Sequence, residues 1–92
     1  MIEIKTQSGF TCEVSEHTLQ DWRVIKALAR AHKSKDDAEA IDAMSEIIAL
    51  LFREKEEDFY INLLDDDGIV SAQSVIRDVR EILEQIGEQQ KN

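Results

Sequence analysis

The stretch from Asp37 to Phe52, DAEAIDAMSEIIALLF, constrains the fold more than any other part of the chain. Ile41, Met44, Ile48 and Leu51 recur at helical spacing along one stripe, and Ala40, Ala43, Ile47 and Leu50 fill a neighbouring one. An amphipathic surface helix needs only one apolar stripe. Two stripes require burial over much of the circumference, so this segment reads as a central helix that the rest of the chain must cover. With 92 residues in all, that cover amounts to one domain and a small core. Stability in such a chain can lean on a partner or on self-association.

The flanking segments divide accordingly. IEIKT (2–6) and FTCEV (10–14) alternate apolar and polar residues, and QSG links them, which predicts a β-hairpin. A two-stranded hairpin is marginal alone and has to rest on helices. Thr18 followed by Asp21 resembles a capping box at the start of a first helix. There Leu19, Trp22, Ile25, Leu28, Ala29 and His32 form the expected inner face, and Arg23, Lys26, Arg30 and Lys33 point elsewhere. Ser34 or Asp36 can cap the central helix, whose first turn carries Asp37 and Glu39. The charged break REKEED is followed by a short third helix with Phe59, Tyr60, Leu63 and Leu64. DDDG ends it, and Ser71 can cap a fourth helix built on Val75, Val79, Ile82 and Ile86, with Ile76 and Leu83 beside them. There is no proline; Gly9, Gly68 and Gly87 each fall where the apolar pattern breaks, and Gly87 is expected to loosen the last helix. The expectation is a single α+β domain over residues 1–92, mainly helical. It comprises a hairpin in 1–14, a core of about four α-helices in 15–87 and a polar tail in 88–92.

Composition narrows the function. Apolar residues make up 42% and charged residues 34%, which suits a folded core in a solvated shell. A net charge of −9 argues against nucleic acid, because phosphate binding needs an excess of Lys and Arg. No apolar run reaches membrane-spanning length, MIEIKTQ lacks a signal-peptide core, and a single cysteine, Cys12, excludes an internal disulfide. A reducing cytoplasm, with no membrane association, is the simplest setting. The charge is also uneven. Residues 22–35 hold Arg23, Lys26, Arg30, Lys33 and Lys35 with no acid, whereas residues 36–67 hold twelve acids against Arg53 and Lys55. A basic helix packed beside an acidic one is the simpler account, and a basic patch facing a partner is the sharper one.

Catalytic and metal motifs are missing from the pattern. LLDDDGIVSAQSV suggests a calcium loop, but placing Gly68 at the sixth position puts Leu63 at the first and Ser74 at the twelfth. Neither supplies the carboxylate those positions need. The aspartates read better as a helix stop and turn. Cys12, His17 and His32 fit no common zinc spacing. Cys12 alternates with Phe10 and Val14 as a small core residue, and His32 falls on the apolar side of its helix. No serine follows an aspartate, which excludes an acyl carrier, and no nucleophile motif or phosphate loop occurs. The expectation is a binding protein, not an enzyme, without cofactor or metal. Its surfaces then become the question. The Val75–Val79–Ile82–Ile86 seam could bury against Trp22 and Leu28 or zip against a second copy; a chain this small needs it for its own core.

The order of features resembles the small tail assembly chaperones of long-tailed, non-contractile bacteriophages and prophages. The features are a hairpin, a helix opening on Asp21-Trp22, a long apolar helix ending before REKEED, Asp67-Gly68 before Ile69-Val70, and a last helix with Ile82-Leu83 leading to Lys91-Asn92. The resemblance covers roughly residues 10 to 92. Members often carry a glycine after the long helix, where this chain has Phe52-Arg53-Glu54. The resemblance implies a protein that coats the long, helical tape measure protein and recruits tail tube protein, with self-association into a homo-oligomer. It also implies a frameshifted longer product, for which Gln90-Lys91-Asn92 could be encoded by a slippery A-AAA-AAC run. The partner-contact candidates are Trp22, Arg23, Lys26 and Arg30 on the first helix and Ile82 and Ile86 on the last, although Trp22 also suits a core anchor. The alternative is a small acidic regulator, of antitoxin or anti-activator type, that neutralises a basic partner.

Overall fold

A computed structural model describes residues 1–89, and its elements follow from local chemistry. Strands β1 (Ile2–Lys5) and β2 (Thr11–Val14) pair antiparallel with Ile2 opposite Val14 and Ile4 opposite Cys12. Their alternation turns Ile2, Ile4, Phe10, Cys12 and Val14 into the core. Gly9 closes the turn at φ 99°, a conformation L side chains rarely adopt. Burial pushes the Cys12 thiol above its ordinary pKa, as expected for a packing residue.

Helix α1 spans Trp22–Lys33. Its cap is Asp21, whose carboxylate accepts the Arg23 N–H at 2.8 Å. Thr18 does not cap it; Thr18–Gln20 form a single 3-10 turn, and the Thr18 hydroxyl donates to the Ser15 carbonyl at 2.6 Å. Helix α2 spans Asp37–Phe52 as the two stripes require, capped by Asp36, which accepts the Glu39 N–H at 2.8 Å. Ile41 is the exception to its burial and stands exposed near the helix start. Fully buried Ala27 on α1 and Ala43 on α2 keep the crossing side chains small where the two helices pack.

The chain leaves α2 through Arg53 at φ 52° and ψ −119°, the one non-glycine residue with positive φ among the described residues. An exposed arginine gains nothing from this strained backbone, whereas glycine adopts it freely. Arg53→Gly is expected to stabilise the fold by about 1 kcal/mol, read as a higher urea midpoint at unchanged slope.

A 3-10 turn leads into α3 (Glu56–Asn62), and a tight turn follows it. The Asp65 carboxylate accepts the N–H groups of Asp67 and Ile69, each at 2.9 Å, Gly68 takes φ 75°, and Leu64 bridges to Val70. These aspartates therefore organise backbone. Ser71 caps α4 (Ala72–Gln89) by accepting the Ser74 N–H at 3.1 Å. Gly87 does not end this helix, which continues through it to Gln89. Glu88 and Gln89 of the expected polar tail are therefore helical. Gln90, Lys91 and Asn92, and the frameshift expectation attached to them, lie outside the described residues. The result is an N-terminal hairpin on a helical body of α1 to α4, and no helix of the described residues is long and apolar enough to cross a membrane.

At the centre, Phe10, Phe52 and Phe59 form an aromatic triad. Phe10 meets Phe52 and Phe59 edge-on at 5.3 Å between ring centres, and Phe52 lies 4.5 Å from Phe59. Ile47, Val79, Ile82 and Ile86 extend the core along α2 and α4. Asp78 on α4 is also fully buried. Its carboxylate accepts from the Ser8 hydroxyl and from Arg77 Nε at 3.2 Å. Ser8 in turn pairs with Thr6 at 2.8 Å and accepts from Asn62 Nδ2 at 3.0 Å, so one polar network ties the hairpin tip to α3 and α4.

Candidate protein-binding surface

Helix α1 carries apolar residues on two arcs, and the fold uses one of them. Val24 and Ala27 are buried and Leu28 and Ala31 are half-buried, forming the inward arc. Trp22, Ile25, Ala29 and His32, spaced at i, i+3, i+7 and i+10, form the outward arc. The expected inner face is thus corrected. Trp22 is 71% exposed and Ile25 42%, so Trp22 is no core anchor, and His32 is not a packing histidine. The residues of α1 that the fold buries are the smaller Val24 and Ala27, in keeping with close helix packing.

The basic residues of α1 take two roles. Arg30 is half-buried and reaches α2, donating to Glu46 at 2.6 Å and lying 3.5 Å from Asp42. It neutralises acids within the fold, as the simpler account of the charge pattern supposed. Its Nε is buried and has no hydrogen-bond partner among the described residues. Arg23 doubles back on the cap, donating to Asp21 through Nε at 3.1 Å and through its terminal nitrogen at 2.7 Å. These bonds hold the Asp21 carboxyl down at about 2 and raise the arginine. Lys26, Lys33 and Lys35 form no ion pair among the described residues, and all three are exposed. A solvent-facing arc of Trp22, Ile25 and Ala29 with Lys26 and Lys33 alongside is therefore the feature of α1 that the fold leaves unused.

Ile82 and Ile86 cannot present a surface in this fold, because both are fully buried in the core with Val79. As contact candidates they are corrected; their spacing of four residues on α4 serves the domain's own packing. Ile76 at the edge of α4 is partly exposed instead. The sequence reading also missed Asp78. Its signal was present: Val75, Asp78 and Ile82 follow the 3–4 spacing of the apolar stripe, so an acid stood within an inward face. An acid in such a position needs a partner, and Ser8, 70 residues away, supplies it. Comparison of the chain with family models, curated proteins and solved structures found no match.

Proposed function

We propose that this chain is a tail assembly chaperone of the bacteriophage and prophage type, which binds a tape measure protein during tail morphogenesis and recruits tail tube protein. The observation that carries the reading is the outward arc of α1, where Trp22, 71% exposed, stands with Ile25 and Ala29 beside lysines that form no ion pair among the described residues. Exposed aromatic and aliphatic residues at helical spacing suit a helical client that shows apolar stripes of its own. Tryptophan is among the residues that most often dominate binding energy. A net charge of −9 keeps the loaded complex dispersed, and many copies along one long client hold it by avidity. The departure at Arg53 also softens. The backbone there takes a glycine-type conformation, at the place where the resembled proteins often carry glycine.

The test is co-purification with the product of the long helical reading frame expected downstream, together with a search of the gene for the slippery run. Trp22→Ala with Ile25→Ala is expected to weaken capture by roughly thirtyfold, about 2 kcal/mol, while leaving the melting temperature unchanged. Failure of the wild-type chain to bind that product, or equal capture by the double variant, removes the reading. Capture of a small basic protein encoded alongside would favour the acidic regulator.

A further inference from the structure

The two edges of the hairpin are treated differently. On β1 the outward backbone groups belong to Glu3 and Lys5, and α4 occupies those of Lys5 and of Gln7 just beyond the strand, leaving Glu3 at the far end uncovered among the described residues. Gln85 accepts the Lys5 N–H at 3.5 Å and donates to the Lys5 carbonyl at 2.9 Å, and Glu81 accepts the Gln7 N–H at 3.1 Å. On β2 the outward residues are Thr11 and Glu13. The bond from the Thr6 N–H to the Phe10 carbonyl at 2.9 Å sets an alternation that turns the backbone groups of Cys12 and Val14 toward β1. Among the described residues, nothing bonds the backbone N–H or C=O of Thr11 or Glu13. A groove of about 630 Å³ runs beside this edge, lined by Cys12 and Val14 on one side and by Leu51, Phe52, Arg53 and Lys55 on the other.

We propose that β2 is a strand-addition site that takes an extended segment of a partner protein in which basic and apolar residues alternate. This proposal stands apart from the client reading of α1. An open edge of N–H and C=O groups is a template for another strand, and folded proteins commonly cover such edges, as α4 covers the Lys5 end of β1 here. The sign of the segment follows from charge. Glu3 stands directly opposite Glu13, both exposed, and neither forms an ion pair among the described residues. Like charges placed so are destabilising, and Lys5, opposite Thr11, is the hairpin's own nearby cation. The far wall, with Arg53, Glu54 and Lys55, sums to +1 against −2 for Glu3 and Glu13, and the Met1 ammonium that also lines the groove is paired with Glu16 at 2.7 Å. A strand laid on β2 would bring a lysine or arginine beside Glu13 and turn its intervening apolar side chains toward Leu51 and Phe52. A second copy fits poorly, since it would add another Glu3–Glu13 pair and another charge of −9.

Nitrogen-15 NMR with two acetylated, amidated hexapeptides tests this, one alternating Lys and Val and the other alternating Glu and Val. The Lys peptide is expected to shift the Thr11 and Glu13 amides and slow their hydrogen exchange, and the Glu peptide to bind roughly tenfold more weakly. Glu13→Pro removes an outward N–H without breaking a β1–β2 bond and should abolish the effect. Glu13→Lys, a surface change that keeps the fold even if the proline does not, should reverse the preference between the two peptides. Shifts confined to other acidic surfaces, equal binding of both peptides, or protection of Thr11 and Glu13 by dimerisation without peptide would each overturn the proposal.

Discussion

Phe59→Ala is expected to lower the unfolding free energy by about 3–5 kcal/mol, the usual cost of deleting a fully buried aromatic ring. Small domains hold only about 5–15 kcal/mol in total, so the variant would sit near the limit of folding. The size of the effect follows from position. Phe59 is fully buried, touches Phe52 at the end of α2 and meets Phe10 from the hairpin, so one ring joins three parts of the chain. Losing it removes the ring contacts with Phe10, Phe52 and Tyr60 and leaves a cavity between helix and sheet. Urea denaturation followed by far-ultraviolet circular dichroism is the suitable measurement. Trp22 fluorescence is a poor reporter because that ring already faces solvent. A loss below about 1 kcal/mol would mean that Phe59 is not packed as described.

Ile82→Ala is expected to cost about 2–5 kcal/mol, slightly offset by alanine's better helix propensity on α4. This substitution separates two roles that the spacing alone left open. A surface contact would yield a stable variant with weakened partner capture. A core residue yields the reverse: a lower urea midpoint, with the partner still captured by the folded fraction at low temperature. Full burial of Ile82, with Val79 and Ile86 in the same core, places the expected result on the second side.

The division of the chain into a hairpin and helices was legible because each element carries a strong periodic signal with a stop at its end. The second stripe of α2, the alternation of Phe10, Cys12 and Val14, and the Ser71 cap all survive into the structure with the roles their spacing implied. The orientation of α1 was not legible. Apolar residues occur around most of that helix, so periodicity fitted the arc of Trp22, Ile25 and Ala29 as well as the arc of Val24 and Ala27 and could not say which faced inward. Close packing at a helix crossing favours the small residues, which only the position of α2 reveals. The inward place of Asp78 was legible in its spacing, but what it and the hairpin edge bond to was not. Their partners, Ser8 for Asp78 and Gln85 for Lys5, lie 70 and 80 residues away, beyond any local pattern. The exposed arc that supports the binding proposal came into view as a consequence of the misread face: the residues best suited to a core were left outside it.

Those long separations also order events as the chain folds. α1 and α2 are adjacent in sequence and can pair early, since closing the short Ser34–Asp36 connection costs little entropy. The hairpin cannot secure its β1 edge until Glu81 and Gln85 arrive, and its tip waits for Asp78. On a ribosome, the first strands made are therefore among the last to be fixed. Through most of synthesis the nascent chain carries the two strand segments without the helix that covers them, an interval in which a neighbouring strand or a cellular chaperone could reach them before α4 does.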